Sequence, residues 1–214
     1  MPGESFKSVF AKSVISGILI GTGGIVYLSV ENKYLGAFLF SLGLFTIIQS
    51  GFSLYTGKVG YIPEKPLAYI KEVAVTLLGN ICGTALTAGA VLLTHLNSSI
   101  HEKAVTVMNT KMADSLLSQI ILGFFCGMLM YIAVENSRIC RKKGHDTSAV
   151  FGTVLPVMVF ILCGFNHSVA DCFYLFAAYP GLKGALYILT VALGNAFGGM
   201  TIPLLKKLFD KENE

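Results

Sequence analysis

Six long intervals of this chain carry no Asp, Glu, Lys or Arg. They are bounded by Lys12 and Glu31, Lys33 and Lys58, Glu72 and Glu102, Asp114 and Glu135, Asp146 and Asp171, and Lys183 and Lys206. Each approaches or exceeds the ~20 residues that a helix needs to cross ~30 Å of hydrocarbon, so the pattern predicts six transmembrane helices. The first interval lacks a small-residue cleavage site followed by a polar stretch, and it reads as a span rather than a signal peptide.

The spans repeat. The first ends in Tyr27-Leu28-Ser29-Val30-Glu31-Asn32 and the fourth in Tyr131-Ile132-Ala133-Val134-Glu135-Asn136. Gly51-Phe52 in the second is matched by Gly164-Phe165 in the fifth. Leu78-Gly79-Asn80-Ile81-Cys82-Gly83 in the third is matched by Leu193-Gly194-Asn195-Ala196-Phe197-Gly198 in the sixth. Three markers in the same order predict a duplicated three-helix unit within one transmembrane domain over 1–214. Repeat 1 covers about 10–97 and repeat 2 about 112–208. An odd number of spans per unit turns the copies in opposite directions across the membrane, a plan in which sites form near the midplane at broken helices.

Two breaks are legible. Gly51 to Gly60 holds three glycines and Lys58, and Pro63 and Pro66 follow, which argues against an unbroken helix. Pro63-Glu64 reads as the first turn of the next helical segment. In the second half, Gly164 to His167 interrupts the fifth span, and Ser168 with Asp171 resembles a capping box that starts a half-helix. His167 and Asp171 lie where the surrounding residues are apolar, and ionisable groups in such a setting line a polar path or pair with each other.

Composition agrees with the pattern. Hydrophobic residues make up 54% and charged residues 13% of the chain, and mean hydropathy is +0.69, which excludes a soluble domain. Lys7, Lys12, Lys65, Lys71, Arg138, Arg141, Lys142, Lys143, Lys206, Lys207 and Lys211 fall on one side of the predicted topology. Only Lys33, Lys103, Lys111 and Lys183 fall on the other. The positive-inside rule then puts both termini in the cytoplasm. This bias accounts for the net charge of +4, and no basic patch suggests nucleic acid.

Cys82, Cys126, Cys140, Cys163 and Cys172 form no Cys-x-x-Cys pair and read as packing residues. His95, His101 and His145 fall in or near loops and read as solvated. No ligand-spaced cluster, phosphate loop or nucleophile elbow is present, so neither a metal, a cofactor nor an enzymatic activity is expected.

The residues resemble a known family, the formate/nitrite transporters, which also include hydrosulfide and lactate channels. The resemblance rests on Leu54-Tyr55-Thr56-Gly57, on Gly79-Asn80 and Gly83, on Gly194-Asn195 and Gly198, on Leu155-Pro156, and most specifically on Gly164-Phe165-Asn166-His167-Ser168-Val169-Ala170. It implies an all-α, aquaporin-like membrane protein with six transmembrane helices in a 3+3 inverted repeat. The second and fifth helices are broken, and the chain assembles as a homopentamer in the plasma or inner membrane with a pore in each subunit.

By matching positions, His167 is the pore centre, Thr56 its partner from the opposite loop, and Leu54, Tyr55 and Phe160 the constrictions. Asn80 and Asn195 are expected to hold the broken loops by hydrogen bonds. The resemblance also implies a vestibule lysine near the start of the fifth span, where this sequence has Ala149, and Lys58 is the candidate to replace it. Asn166 and Asp171 stand where an acid and an asparagine are implied. One helical turn separates His167 from Asp171, so the carboxylate is expected to stabilise the imidazolium.

A bare charge at the bilayer centre is disfavoured, and His is the side chain best suited to lend a proton near neutral pH. The expectation is a channel or transporter for a small monovalent weak-acid anion such as formate, nitrite or hydrosulfide, with His167 as candidate proton carrier. The partners are then the anion or its conjugate acid, the lipid bilayer and further copies of the chain. Ala149 and Asp171 motivate the alternative, a pore for a small neutral or weakly basic solute.

Overall fold

The structure, a computed structural model, describes residues 4–178 and 181–211. Its elements in order are α1 (Phe6–Ser29), α2 (Lys33–Ser50), α3 (Tyr55–Lys58), a 3₁₀ stretch (Val59–Glu64), α4 (Tyr69–Leu92), α5 (Asn97–Ala113), α6 (Leu116–Lys142), α7 (Asp146–Leu162), α8 (Ser168–Ala177) and α9 (Leu182–Lys211). Five of these helices, α1, α2, α4, α6 and α9, are long and apolar enough to cross a membrane, while α7 and α8 are shorter apolar helices. The fifth charge-free interval is therefore divided between α7 and the start of α8.

Local chemistry sets the helix ends. Ser5, Asn32 and Ser115 cap α1, α2 and α6 by accepting amide hydrogen bonds from the first turn. The terminations of α2 and α7 are alike. Gly51 (φ +66°) and Gly164 (φ +69°) take the left-handed conformation that glycine adopts without strain. Phe52 N–H then reaches back to Ile47 O at 3.0 Å, and Phe165 N–H to Phe160 O at 2.9 Å, giving a Schellman stop in both places.

Two helical expectations change. Pro63 and Glu64 end the 3₁₀ stretch instead of starting a helix. Lys65 precedes Pro66 and is extended (φ −116°, ψ 156°), as steric conflict with a following proline ring requires, so α4 begins only at Tyr69. The interval from Glu72 to Glu102 also holds two helices rather than one, because α4 stops at Leu92 and α5 starts at Asn97. Helix α5 buries only Ile100, Ala104 and Met108, one face at four-residue spacing. His101 lies on it, half-buried, with its Nδ1 2.9 Å from Ala177 O, so it is not a solvated loop residue.

Glycines set how closely the long helices approach. A Cβ on Gly83 of α4 would strike the Val14 carbonyl oxygen of α1. One on Gly127 of α6 would strike the Asn195 backbone of α9, and one on Gly198 would strike Phe124 O. Such contacts suit helices that associate by packing rather than by escape from water. Phe40, Phe173, Ile20, Met130, Val157 and Val191 fill the interior, and every residue of α8 except Phe176 is buried. Leu42, Leu78, Leu86, Leu193 and Phe197 point outward and stay exposed.

Candidate functional site

Two asparagines position the loops that follow α2 and α7. Asn80 Nδ2 donates to Ser13 O (2.8 Å) and Ser53 O (3.0 Å), while its Oδ1 accepts from Tyr55 N–H (2.8 Å). Asn195 does the same in the other half. Its Nδ2 donates to Gly123 O (2.8 Å) and Asn166 O (2.8 Å), and its Oδ1 accepts from Ser168 N–H (2.9 Å). Both side chains are fully buried, so each amide satisfies loop backbone groups that no helix satisfies and ties them to a carbonyl of α1 or α6.

Held in this way, the two loops meet. Thr56 Oγ1 lies 3.0 Å from His167 Nε2, and both residues are buried. His167 is itself the N-cap of α8, with its Nδ1 accepting from Ala170 N–H at 3.1 Å. That bond makes Nδ1 an acceptor, so Nε2 carries the ring proton and donates it to Thr56. The expected capping box from Ser168 and Asp171 does not form. Ser168 is already inside the helix, its N–H is taken by Asn195, and its Oγ is buried without a partner.

The Phe160 ring stacks on the imidazole, with centroids 5.2 Å apart and planes 24° apart. Leu54 and Tyr55 are buried beside Thr56, and the Tyr55 hydroxyl donates to Ala192 O at 2.9 Å.

Asp171 does not reach the imidazole with its carboxylate. Its backbone N–H donates to His167 O, while Oδ1 lies 3.1 Å from Lys111 Nζ and Oδ2 accepts from Tyr187 OH at 2.8 Å. A cap side chain folds back onto its own first turn, so the carboxylate one turn on is free to face α5. Lys111 also donates to Asn166 Oδ1 (2.9 Å) and Phe165 O (3.3 Å).

The cation beside the histidine is thus Lys111, which the sequence pattern alone places among the loop charges. The signal was the α5 face itself, since Lys111 continues the Ile100, Ala104, Met108 line. Ala149 is buried in α7, and Lys58 pairs with Glu72 and lines a different cavity from His167.

Two cavities flank the Thr56–His167 contact. A smaller one of about 260 Å³ reaches His167, Phe160, Lys111, Asp171, Tyr27 and Tyr174. A larger one of about 660 Å³ reaches Leu54, Gly57, Lys58, Tyr61, Ser137 and Arg141. Among the described residues none lines both. Among the described residues no three His, Cys, Asp or Glu side chains gather as a metal-binding group.

Comparison with known proteins follows the same lines. The chain is 24% identical over 189 residues to the formate channel FocB of Escherichia coli K12, covering 79% of this chain and 66% of FocB. It is 25% identical over 187 residues to the formate channel FocA of the same strain, covering 77% of this chain and 64% of FocA. It therefore spans about two thirds of the length of these relatives. Among solved structures, a pentameric formate channel with formate bound superposes with a TM-score of 0.80 at 23% identity, covering 96% of this chain and 97% of that one. An FNT family ion channel superposes at 0.78 and 19% identity, covering 95% and 90%. A sequence model of the formate/nitrite transporters matches residues 3–208, nearly the whole chain, and by that match this protein belongs to the formate/nitrite transporter family.

Proposed function

We propose that this chain forms a channel passing a small monovalent weak-acid anion across a membrane. Formate is the first solute to test, because the curated relatives are named formate channels. The observation that carries the proposal is the Thr56–His167 contact between two cavities, with Lys111 beside it. Lys111 offers the anion a cationic donor at the wall of the smaller cavity, the His167 Nε2–H replaces lost water as a donor once it turns from Thr56 to the anion, and Leu54, Tyr55 and Phe160 form the apolar constrictions.

The halves, about 10–97 and about 112–208, act as oppositely turned repeats in which α2 with α3, and α7 with α8, are the broken spans. The paired glycine stops and the paired asparagine bonds support that reading. The distribution of Lys and Arg supports cytoplasmic termini. The pentameric state of the formate channel with the same fold supports a homopentamer.

The cap geometry limits the proton step. The Nε2 proton passes to the anion only when another proton reaches Nδ1 and the Ala170 amide lets go, and loss of an N-cap costs about 0.5–2 kcal/mol. Without that release His167 acts as a hydrogen-bond donor alone. Stopped-flow formate uptake into proteoliposomes at two pH values, with a neutral solute as control, tests both forms. Removing the donor with His167→Phe forfeits a charge-assisted bond of about 1.5–3 kcal/mol and should slow uptake roughly tenfold or more. Uptake by that variant equal to wild type at both pH values would overturn the proposal.

A second reading, a pore for a small neutral solute, has one observation in its favour. Lys111 and Asp171 form a pair with no net charge next to His167. Swelling of proteoliposomes in a neutral solute, without anion uptake, would select it.

A further inference from the structure

We propose that Tyr174 is a specificity-determining residue of the smaller cavity, whose phenol hydroxyl donates to a passing solute and favours an oxygen acceptor over sulfur. The inference rests on the channel reading above and adds a residue to it.

Helix α8 turns one face to that cavity. His167, Ala170, Asp171 and Tyr174 all line it, at the three- and four-residue spacings that bring helical side chains together.

Most polar side chains in this wall are already engaged. Thr106 and Thr110 donate to the helix carbonyls of Glu102 and Thr106. His167 Nε2 faces Thr56, and Asp171 accepts from Lys111 and Tyr187. The Lys111 ammonium has three protons and lies against three groups that accept them, the Asp171 carboxylate, Asn166 Oδ1 and Phe165 O. It therefore meets a solute first as a charge, and as a donor only by giving up one of these bonds.

Tyr174 and Tyr27 remain. Neither hydroxyl has a hydrogen-bond partner among the described residues, and neither is closed off from open space as the Ser168 Oγ is. Tyr27 is half-buried, whereas Tyr174 is only 5% exposed and so has little water to turn to.

Packing alone does not require the Tyr174 oxygen. Its ring meets Phe173 edge-on at 5.7 Å, a contact that phenylalanine would make equally well. A buried donor without an acceptor is costly, and a solute that accepts from it offsets that cost while it occupies the cavity. An oxygen carrying negative charge takes a short, charge-assisted bond, while sulfur is a weak acceptor, so the hydroxyl separates the two.

Stopped-flow uptake into proteoliposomes carrying the full chain tests this, with formate and hydrosulfide as probes at mildly alkaline pH and the leak of empty liposomes subtracted. Both probes are then anions, so their ratio reads acceptor chemistry rather than charge. In Tyr174→Phe, which keeps the ring, the formate-to-hydrosulfide ratio should fall roughly tenfold, as loss of a bond to a charged acceptor implies. Hydrosulfide uptake itself should stay near wild type, which a packing defect would not allow. Tyr27→Phe should change the ratio less, and a larger fall there than in Tyr174→Phe would overturn the assignment to Tyr174. A fluorinated tyrosine at the same position is a stronger donor of nearly the same shape and should raise the ratio, which keeps the test open if Tyr174→Phe does not yield monodisperse protein. A wild-type ratio in either Tyr174 variant would overturn the role of the hydroxyl alone. Failure of the wild type to pass either probe would instead overturn the channel reading, and this inference with it.

Discussion

Asp171 is almost completely buried and owes its place to two neighbours, Lys111 and Tyr187. A carboxylate in that setting is tolerable only while paired. Lys111→Met leaves the charge without a cation and should cost about 3–5 kcal/mol, seen as a lower melting temperature of the detergent-solubilised protein. Adding Asp171→Asn removes the stranded charge and should recover part of that loss. Equal melting of the single and double variants would contradict the pairing.

The same residue scale explains two misreadings. A serine followed by an acid is the common sign of a helix start, but here the imidazole takes the first-turn amide because Asn195 and Thr56 hold the loop from either side. The α5 face marks Lys111 as inward-facing, but the groups it meets are not legible, because its partners Phe165, Asn166 and Asp171 are far away in sequence.

At the scale of elements, the loops after α2 and α7 have little regular structure of their own and depend on one buried amide each. Asn80→Ala removes three hydrogen bonds and leaves Ser53 O and Tyr55 N–H without that amide. Asn195→Ala does the same to Asn166 O and Ser168 N–H. Each unsatisfied buried group costs about 1–3 kcal/mol, so both variants should melt lower and, under the proposed function, show reduced formate uptake. Wild-type melting in either would mean that the loop is held by other contacts.

The Gly-Phe and Gly-Asn markers made these loops readable, since glycine at a stop and an amide near a break have local causes. The 3₁₀ stretch was less readable. Pro63 suits a helix start and a 3₁₀ end equally well, and only the strict demand of Pro66 on Lys65 separates the two.

For the whole molecule, close approach of α1 to α4 and of α6 to α9 is the main structural commitment. Gly127→Val and Gly198→Val put side chains into the facing backbone, whereas Gly89→Val enters open space. The first two should cost about 1–3 kcal/mol or more and broaden the size-exclusion profile, while Gly89→Val should behave as wild type. Equal profiles for all three would show that these helices do not pack through their glycines.

By itself the sequence determined an all-helical, membrane-type chain with several apolar helices, two interruptions and the residues of the formate/nitrite transporter family. Each of these follows from near neighbours, through the length of an apolar run, a glycine at a stop or a short motif. Only the tertiary structure decided which distant groups meet, with Thr56 against His167 and Lys111 against Asp171. Those meetings depend on how closely and at what offset the helices cross, and that is a property of packing between segments that local pattern does not encode.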